Sequence, residues 1–296
     1  MNITFLGTSS GVPTLTRNVS SIALKLSQSS EVFLFDCGEG TQHQLMKSNI
    51  KYSQIKKIFI THMHGDHIYG LPGLLATLGL SGKSKGIEIY GPSELKKFIN
   101  SALSNSFCKL SFPLNFIEVE NFAFNNKILF EDNKLKVNCT CLKHKVPSYG
   151  YRVTEKDKPG TFDIKKAEAL KIPPGPIYSE LQQGKKVLLD GKSYDGKEFC
   201  GPPRRGESFV YCTDTVFSES AVSLSKNADL LVHESTFSKE DESMAYEKLH
   251  STTIMAAKTA LLSNAKKLII THFSPRYTNK NAITPSDLLK EAQKVF

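Results

Sequence analysis

Four potential metal ligands fall within the short segment Thr61–His67, whose sequence is Thr-His-Met-His-Gly-Asp-His. The apolar run Ile58–Ile60 directly precedes it and predicts a buried strand with a loop at its end that presents the ligands. His62 and His64 alternate, so an extended backbone places both imidazoles on one side, and the aspartate and last histidine then turn toward a second point. Imidazole and carboxylate groups suit zinc and similar divalent ions. This number of ligands in one short segment would crowd a single ion. The segment therefore predicts a metal site and suggests two ions.

Three further ligand-type side chains follow apolar segments that predict strands. They are His144, Asp214 and His272, and the ends of strands are where α/β folds collect their active sites. Singly, each would be an ordinary polar residue, but together with the cluster they complete two coordination shells. One ion would take His62, His64 and His144, the other would take Asp66, His67 and His272, and Asp214 would bridge them. Two ions about 3.5–4 Å apart can activate water and neutralise both the attacking and the leaving oxygen of a phosphodiester.

The rest of the chain predicts interleaved strands and helices, which favours an α/β fold. The predicted strands are 3–6, 21–26, 32–35, 57–60, 87–90, 116–119, 135–141, 209–212, 230–232 and 267–271, and the predicted helices are 41–48, 71–80, about 93–103 and one after 253. The stretch from Thr154 to Gly206 departs from this pattern because it is poor in large apolar residues and rich in Lys, Gly and Pro. We expect it to pack little of its own surface and to project as an arm, or else to be a solvated insertion without function.

Composition limits the class of protein. A chain of 296 residues with 40% hydrophobic content can bury a large core, and no apolar stretch approaches the 18 residues that a membrane-spanning helix needs. The N-terminus predicts a first strand and not a signal peptide. Six scattered cysteines without CxxC pairs are typical of reduced thiols in a cytoplasmic protein. The net charge of +9 favours a polyanionic partner such as RNA, although ordinary solubility charge would explain it too.

Five segments together resemble the ribonuclease Z family of the metallo-β-lactamase superfamily. The His-x-His-x-Asp-His cluster alone identifies only the superfamily, and a His-Glu-Ser-Thr stretch stands where the family has His-Glu-Ala-Thr. The segments are Phe5–Pro13, Phe35–Gln42, Thr61–His67, Val232–Phe237 and Thr271–Tyr277. The resemblance implies one αββα sandwich domain over residues 1–296, with a flexible tRNA-binding arm inserted at 154–206. It also implies two zinc ions per subunit (manganese or another divalent ion could replace them) and a homodimer in which one subunit's arm serves the other's active site.

The implied reaction is endonucleolytic cleavage of precursor tRNA after the discriminator nucleotide, which leaves a 3′-hydroxyl on the tRNA and a 5′-phosphate on the trailer. Asp66 would act as general base besides binding metal. His250 and His233 are both candidates to stabilise the phosphate or protonate the leaving oxygen. Glu234 would orient His233. The alternative for His250 is simple polarity at the start of the following helix.

Other residues are implied to bind substrate or support the site. Arg17, in the loop 13–18, is a candidate phosphate contact, and Asp36 either steadies a ligand histidine or caps a helix. In the arm, the tip would clamp the body of tRNA by shape, with nearby lysines meeting phosphates. The tip residues are Pro174, Gly175 and Pro176, and the lysines are Lys165, Lys166, Lys171, Lys185 and Lys186.

Two rival functions use the same residues. A small-molecule hydrolase on this metal platform would act on a cyclic nucleotide, a thioester or a β-lactam and would need no long basic arm. A non-catalytic RNA-binding module would keep zinc only for stability. The presence of all seven predicted ligands argues against that module, because a retired enzyme usually loses one of them.

Overall fold

The structure, a computed structural model, describes residues 1–27, 29–277 and 283–296 and divides into two compact units. The first unit comprises Met1–Asp132, Lys136–Val153 and Ser208–Phe296. The second comprises Asn133–Leu135 and Thr154–Glu207. The segment predicted to form an arm, 154–206, lies within this second unit.

Strands and helices interleave along the described chain. The strands are β1 (Asn2–Gly7), β2 (Ser21–Lys25), β3 (Val32–Phe35), β4 (Ile55–Phe59), β5 (Ile87–Gly91), β6 (Leu114–Glu118), β7 (Ile128–Glu131), β8 (Leu135–Leu142), β9 (Ser148–Glu155), β10 (Lys186–Leu189), β11 (Lys192–Asp195), β12 (Ser208–Cys212), β13 (Leu230–Glu234) and β14 (Leu268–Thr271). The helices are α1 (Thr41–Lys47), α2 (Gly65–Ile68), α3 (Leu71–Leu80), α4 (Glu94–Asn105), α5 (Ile164–Ala169), α6 (Pro176–Gln182), α7 (Glu219–Leu224), α8 (Glu242–Lys248), α9 (Thr253–Leu262) and α10 (Pro285–Ala292). Short 3₁₀ turns occur at Tyr52–Gln54, Phe124–Asn126, Gly196–Phe199 and Lys239–Asp241.

Two six-stranded sheets are present in the described part of the chain. One has the order β1-β2-β3-β4-β5-β6, antiparallel from β1 to β3 and parallel from β3 to β6. The other has the order β14-β13-β12-β9-β8-β7, with β12, β13 and β14 parallel. The predicted metal ligands follow β4 in the first sheet and β8, β12 and β14 in the second, so both sheets bring ligands to the carboxyl ends of strands.

Aromatic rings fill the space between the two sheets. Phe35 of β3 lies 5.3 Å from Phe209 of β12, measured between ring centroids, and Phe59 of β4 lies 5.3 Å from Tyr151 of β9. Because side chains alternate along a strand, Leu34 points the other way and joins the cluster that contains the leucines of α3. On the second sheet, α7 and α9 pack against residues of β12 and β13. Helices therefore cover the outer face of both sheets, which is the αββα sandwich that the resemblance implied.

Most predicted elements coincide with observed ones, and two differences are informative. Strand β9 was missed, because its sequence Ser-Tyr-Gly-Tyr-Arg-Val-Thr-Glu does not alternate cleanly and runs into the polar segment. The expectation that residues 154–206 pack little of their own surface is wrong. Five buried side chains form a small core there with partly buried aromatic neighbours, and they are Ala167, Ile172, Leu181, Val187 and Phe199.

Two whole-chain expectations can be compared with the structure directly. None of the helices in the described residues is long and apolar enough to cross a membrane. All six cysteines are free thiols, and three of them, Cys37, Cys139 and Cys212, are buried.

Candidate metal centre

Four strand ends deliver the seven predicted ligands to one place in the first unit. Strand β4 ends just before the segment Thr61–His67, and β8, β12 and β14 end just before His144, Asp214 and His272. All seven side chains fall into groups whose ligand atoms lie within 4.8 Å of one another. The structure therefore brings together every residue that the sequence analysis assigned to metal.

The first group of ligands contains three histidines and one oxygen of Asp214. His62 Nε2 lies 3.4 Å and His144 Nε2 lies 3.8 Å from Asp214 Oδ2. His64 Nδ1 is 3.4 Å from His144 Nε2. These three imidazoles are the ones predicted to share an ion.

The second group lies against the other oxygen of Asp214. His67 Nε2 is 3.3 Å and His272 Nε2 is 3.2 Å from Asp214 Oδ1. The same two nitrogens are 3.3 and 3.4 Å from Asp66 Oδ2. Asp214 thus turns one carboxylate oxygen toward each group, as a bridging ligand must.

The ligand atoms fit divalent cations. Two atoms bound to one zinc at about 2.0–2.1 Å in tetrahedral geometry lie roughly 3.3 Å apart, which matches the separations above. His62 Nε2 and His67 Nε2 are buried and have no hydrogen-bond partner in the described structure. A buried polar atom without a partner is costly, so one such atom in each ligand group indicates a cation at each group.

Each buried ligand histidine is held through its second ring nitrogen. His67 Nδ1 is 2.8 Å from Asp36 Oδ2, and His144 Nδ1 donates to the carbonyl oxygen of Leu249 at 3.0 Å. The hydroxyls of Thr61 and Thr236 contact Nδ1 of His62 and His272 at 3.0 and 2.9 Å. Such partners fix the ring orientation and leave Nε2 for the metal. The sequence analysis missed both threonines, although Thr61 directly precedes His62 and Thr236 lies two residues after Glu234.

Asp36 supports the site and does not cap a helix. It is fully buried and accepts hydrogen bonds from the Thr61 backbone N–H at 2.8 Å and from the Tyr211 hydroxyl at 3.1 Å, in addition to its contact with His67. Helix α1 has Gly40 at its N-cap position instead. Of the two roles open for Asp36, the structure therefore selects the support of a ligand histidine.

The electrostatics of the cluster suit cation binding. Burial lowers the pKa values of His62, His64 and His144, the last to about 4, so these imidazoles are neutral at pH 7, as metal ligands must be. Burial alone would raise the pKa of Asp214. The neighbouring imidazoles, first among them His272, outweigh burial and hold that pKa well below its ordinary value. The bridging carboxylate is therefore ionised.

His250 and Glu234 form a pair beside the ligands, and His233 does not take part in it. His250 Nδ1 lies 2.9 Å from Glu234 Oε1, and its ring centroid is 4.9 Å from that of His144. His233 is fully buried, and its Nδ1 donates to the Glu234 carbonyl oxygen at 2.8 Å. Adjacent residues on a strand point to opposite faces of the sheet, so Glu234 cannot face both histidines. Glu234 therefore contacts His233 only through its backbone carbonyl, and the partner of its carboxylate is His250.

The helix that follows His250 is capped by another residue. The Thr252 side chain accepts a hydrogen bond from the Met255 backbone N–H at the start of α9. Burial lowers the pKa of His250, but the Glu234 carboxylate outweighs it and raises the pKa to about 9. His250 can therefore hold a proton close to the ligand groups.

The loop 13–18 and the preceding residues are attached to this centre. Gly11 donates its backbone N–H to Asp66 Oδ2 at 2.8 Å. The Arg17 guanidinium donates to the Thr8 hydroxyl at 2.9 Å and lies over the ring of Phe273, 5.1 Å from its centroid. Its contacts in the structure thus hold the loop in place, and a phosphate contact by Arg17 stays a prediction.

The predicted arm residues are mostly exposed. The three tip residues at the start of α6 are exposed, namely Pro174, Gly175 and Pro176. Four of the five predicted lysines are exposed as well, namely Lys165, Lys171, Lys185 and Lys186. Lys166 differs, because its ammonium donates to the Glu198 carbonyl at 2.7 Å and lies over the Phe199 ring. Lys166 therefore stabilises the small core of this unit and is less available to phosphate than the other four lysines.

Three site residues adopt a left-handed backbone conformation. The φ angles of Asp36, Asp214 and His272 are 56°, 52° and 59°. Residues other than glycine rarely adopt such angles, and aspartate tolerates them better than histidine. Each residue follows the end of a strand, where the sharp turn aims its side chain into the cluster.

Comparison with known proteins identifies the family. Ribonuclease Z of Prochlorococcus marinus strain MIT 9301 is 88% identical over all of this chain and 95% of its own length, and that of strain NATL2A is 61% identical with the same coverage. The crystal structure of human tRNase Z, short form, is 34% identical with a TM-score of 0.70, and the match covers 96% of this chain and 95% of that one.

The chain belongs to the ribonuclease Z family. Membership in the ribonuclease Z family confirms the predicted enzyme class, a metal-dependent endoribonuclease of the metallo-β-lactamase fold. A family model described as Anti-Pycsar protein Apyc1 also matches residues 1–162, a range that contains the Thr61–His67 cluster and His144 but neither Asp214 nor His272. The metallo-β-lactamase fold protein YhfI from Bacillus subtilis shares the fold, with a TM-score of 0.67 at 18% identity, and the match covers 99% of this chain and 92% of that one.

Proposed function

We propose that the chain is a zinc-dependent endoribonuclease that removes the 3′ trailer of precursor tRNA. The cut falls after the discriminator nucleotide and leaves a 3′-hydroxyl on the tRNA and a 5′-phosphate on the trailer. The observation that carries the proposal is the carboxylate of Asp214, which turns one oxygen toward each of two ligand groups. The names of the relatives, ribonuclease Z and tRNase Z, support the choice of substrate.

Different residues of the site have different roles in hydrolysis. Two divalent ions bound by the ligands would activate water and neutralise charge on the phosphodiester. Asp66 accepts the proton of the attacking water, and the N–H of Gly11 fixes its Oδ2. The protonated imidazole of His250 is stabilised by Glu234 at Nδ1–H, and it donates the separate proton on Nε2 to the leaving 3′-oxygen.

The second unit is proposed to hold the body of the tRNA. Its exposed lysines would contact phosphates, and contacts of this kind position a folded RNA by shape. We also propose a homodimer in which the arm of one subunit serves the active site of its partner. The free cysteines support a cytoplasmic location, because reducing compartments keep thiols unpaired.

The direct test uses a 3′-extended precursor tRNA with the purified protein. We expect a single cut directly after the discriminator nucleotide, abolished by a chelator and restored by added Zn²⁺. Mapping both product ends to one nucleotide and identifying the 3′-hydroxyl and 5′-phosphate tests the chemistry. Restoration by Mn²⁺ but not by Zn²⁺ would contradict the zinc assignment. Hydrolysis of a small phosphodiester without any tRNA cleavage would contradict the substrate.

Removal of the arm is expected to separate tRNA cleavage from hydrolysis itself. The chain enters and leaves this segment at adjacent points, because the Glu155 N–H donates to the Glu207 carbonyl oxygen at 2.9 Å. A short Gly-Ser linker can therefore replace residues 156–206. We expect kcat/KM for precursor tRNA to fall at least about 100-fold, since several phosphate contacts are lost, while hydrolysis of bis(p-nitrophenyl) phosphate stays within about twofold. Equal losses on both substrates would show that the segment serves the fold of the site.

A further inference from the structure

A cavity of about 360 Å³ opens directly beside the metal ligands His64 and Asp66. Its other walls are largely apolar, and two of these wall residues are well exposed, Val12 at 56% and Tyr69 at 64%. Its volume lies at the lower end of the range for ligand sites, about 300–1,000 Å³. Exposed apolar side chains next to a cluster of charged ligands suit an occupant that has a flat apolar face as well as a charged group.

The ring of Tyr69 packs against the backbone of Gly65 at this cavity. Tyr69 follows α2, and its N–H donates to the carbonyl oxygen of Gly65 at 2.9 Å. A Cβ atom on Gly65 would lie only 2.1 Å from Cε2 of the ring, so the ring lies directly against the backbone of the ligand loop. Only glycine allows this approach. The ring therefore lies against the loop that carries Asp66, three residues earlier, while most of the surface of Tyr69 is exposed.

We propose that Tyr69, with Val12 and Pro13, forms a stacking site for the base of the first trailer nucleotide. The inference rests on the proposed function and adds a binding site to it. A nucleotide beside the scissile phosphate offers the required combination of a charged group for the metal centre and an aromatic face for the ring. Stacking of a base on an aromatic side chain tolerates any base, which suits an enzyme that meets trailers of different sequence.

The position of the cavity selects the trailer side of the cut. In an in-line displacement, the attacking and leaving oxygens lie on opposite sides of the phosphorus. Asp66, which serves the attacking water, lines the cavity, whereas His250, which serves the leaving 3′-oxygen of the tRNA, is absent from its described lining residues. The tRNA occupies the leaving-group side, while the 5′-oxygen of the trailer lies between the two sides and stays bonded to the phosphorus. The first trailer nucleotide is therefore the one that can extend toward Asp66.

The test combines a Tyr69 variant with an abasic substrate. On an intact precursor, Tyr69→Ala is expected to lower kcat/KM about 10-fold, whereas Tyr69→Phe keeps the aromatic face and most of the rate. An abasic first trailer nucleotide is expected to slow the wild-type protein by a similar factor, and Tyr69→Ala should then add no further loss. Phe107→Ala is the matched control, since Phe107 is 93% exposed and does not line the cavity.

The outcomes separate this site from the proposed function. Equal rates for the wild-type protein and Tyr69→Ala on a precursor that is cut would overturn the stacking site alone. A second result would also overturn the stacking site alone. If an abasic discriminator nucleotide abolishes the rate loss caused by Tyr69→Ala and an abasic trailer nucleotide does not, the base that stacks on Tyr69 belongs to the tRNA and not to the trailer. A wild-type protein that cuts no precursor tRNA overturns the proposed function and this inference with it.

Discussion

Asp214→Asn is expected to lower kcat for precursor cleavage about 1,000-fold or more, the largest single effect in the chain. Asparagine keeps the size of the side chain and tolerates the left-handed backbone at this position, so the fold should survive. It removes the negative charge that faces both ligand groups and leaves an amide nitrogen that cannot bind a cation. A loss of about 4 kcal/mol of transition-state stabilisation corresponds to this factor. The measurement is single-turnover cleavage together with zinc content per subunit, which we expect to fall from two to about one.

Asp190→Asn provides the matched control for this substitution. Asp190 has a similar φ of 50°, is exposed and belongs to none of the ligand groups, so its variant should keep both its zinc and its activity. An Asp214→Asn protein that retained two zinc ions and full activity would contradict the bridging role. A protein that lost its near-ultraviolet circular dichroism would indicate instead that the charge is needed for folding.

His250→Ala is expected to lower kcat by about 100- to 10,000-fold, the usual contribution of a general acid. The effect should depend on the leaving group. A precursor with sulfur in place of the bridging 3′-oxygen releases a thiolate, which needs little protonation, so the variant should cleave it at close to the wild-type rate. Measuring both substrates with both proteins isolates the proton transfer from any loss of binding.

Two further variants define the role of His250. Glu234→Gln removes the carboxylate that raises the pKa of His250, so it should cause a smaller loss of the same leaving-group-dependent kind. His43→Ala changes an exposed histidine on α1 and should have no effect. If the sulfur substrate were slowed as much as the oxygen substrate by His250→Ala, His250 would act in binding the phosphate and not as the acid.

The ligands of the metal centre could be predicted because each carries a local signal. An apolar strand ends, and a ligand-type residue follows within two positions, as at Leu142 with His144 and at Thr271 with His272. The spacing of His62 and His64 also fixes their relative direction without any knowledge of the fold. For the same reason, apolar runs such as Val32–Phe35 predicted strands with their correct bounds.

What the sequence could not provide are contacts that depend on how distant segments meet. The pair of Glu234 with His250 is an example, because the sequence places Glu234 next to His233 and only the direction of β13 shows that it faces away. The bond from Gly11 to Asp66 spans 55 residues and leaves no trace in either segment. The small core around Phe199 was missed because its apolar residues are spread among lysines, glycines and prolines.

The left-handed turns at Asp36, Asp214 and His272 place a conformational cost where the chemistry occurs. A non-glycine residue in this region costs about 1–2 kcal/mol, and glycine would relieve it. Laboratory evolution for thermal stability alone would therefore favour glycine at position 272, where histidine is the residue least suited to the backbone. The resulting protein would be more stable but inactive. These three residues are maintained only while selection acts on catalytic activity. A related protein that has lost them is therefore expected to be inactive as an enzyme.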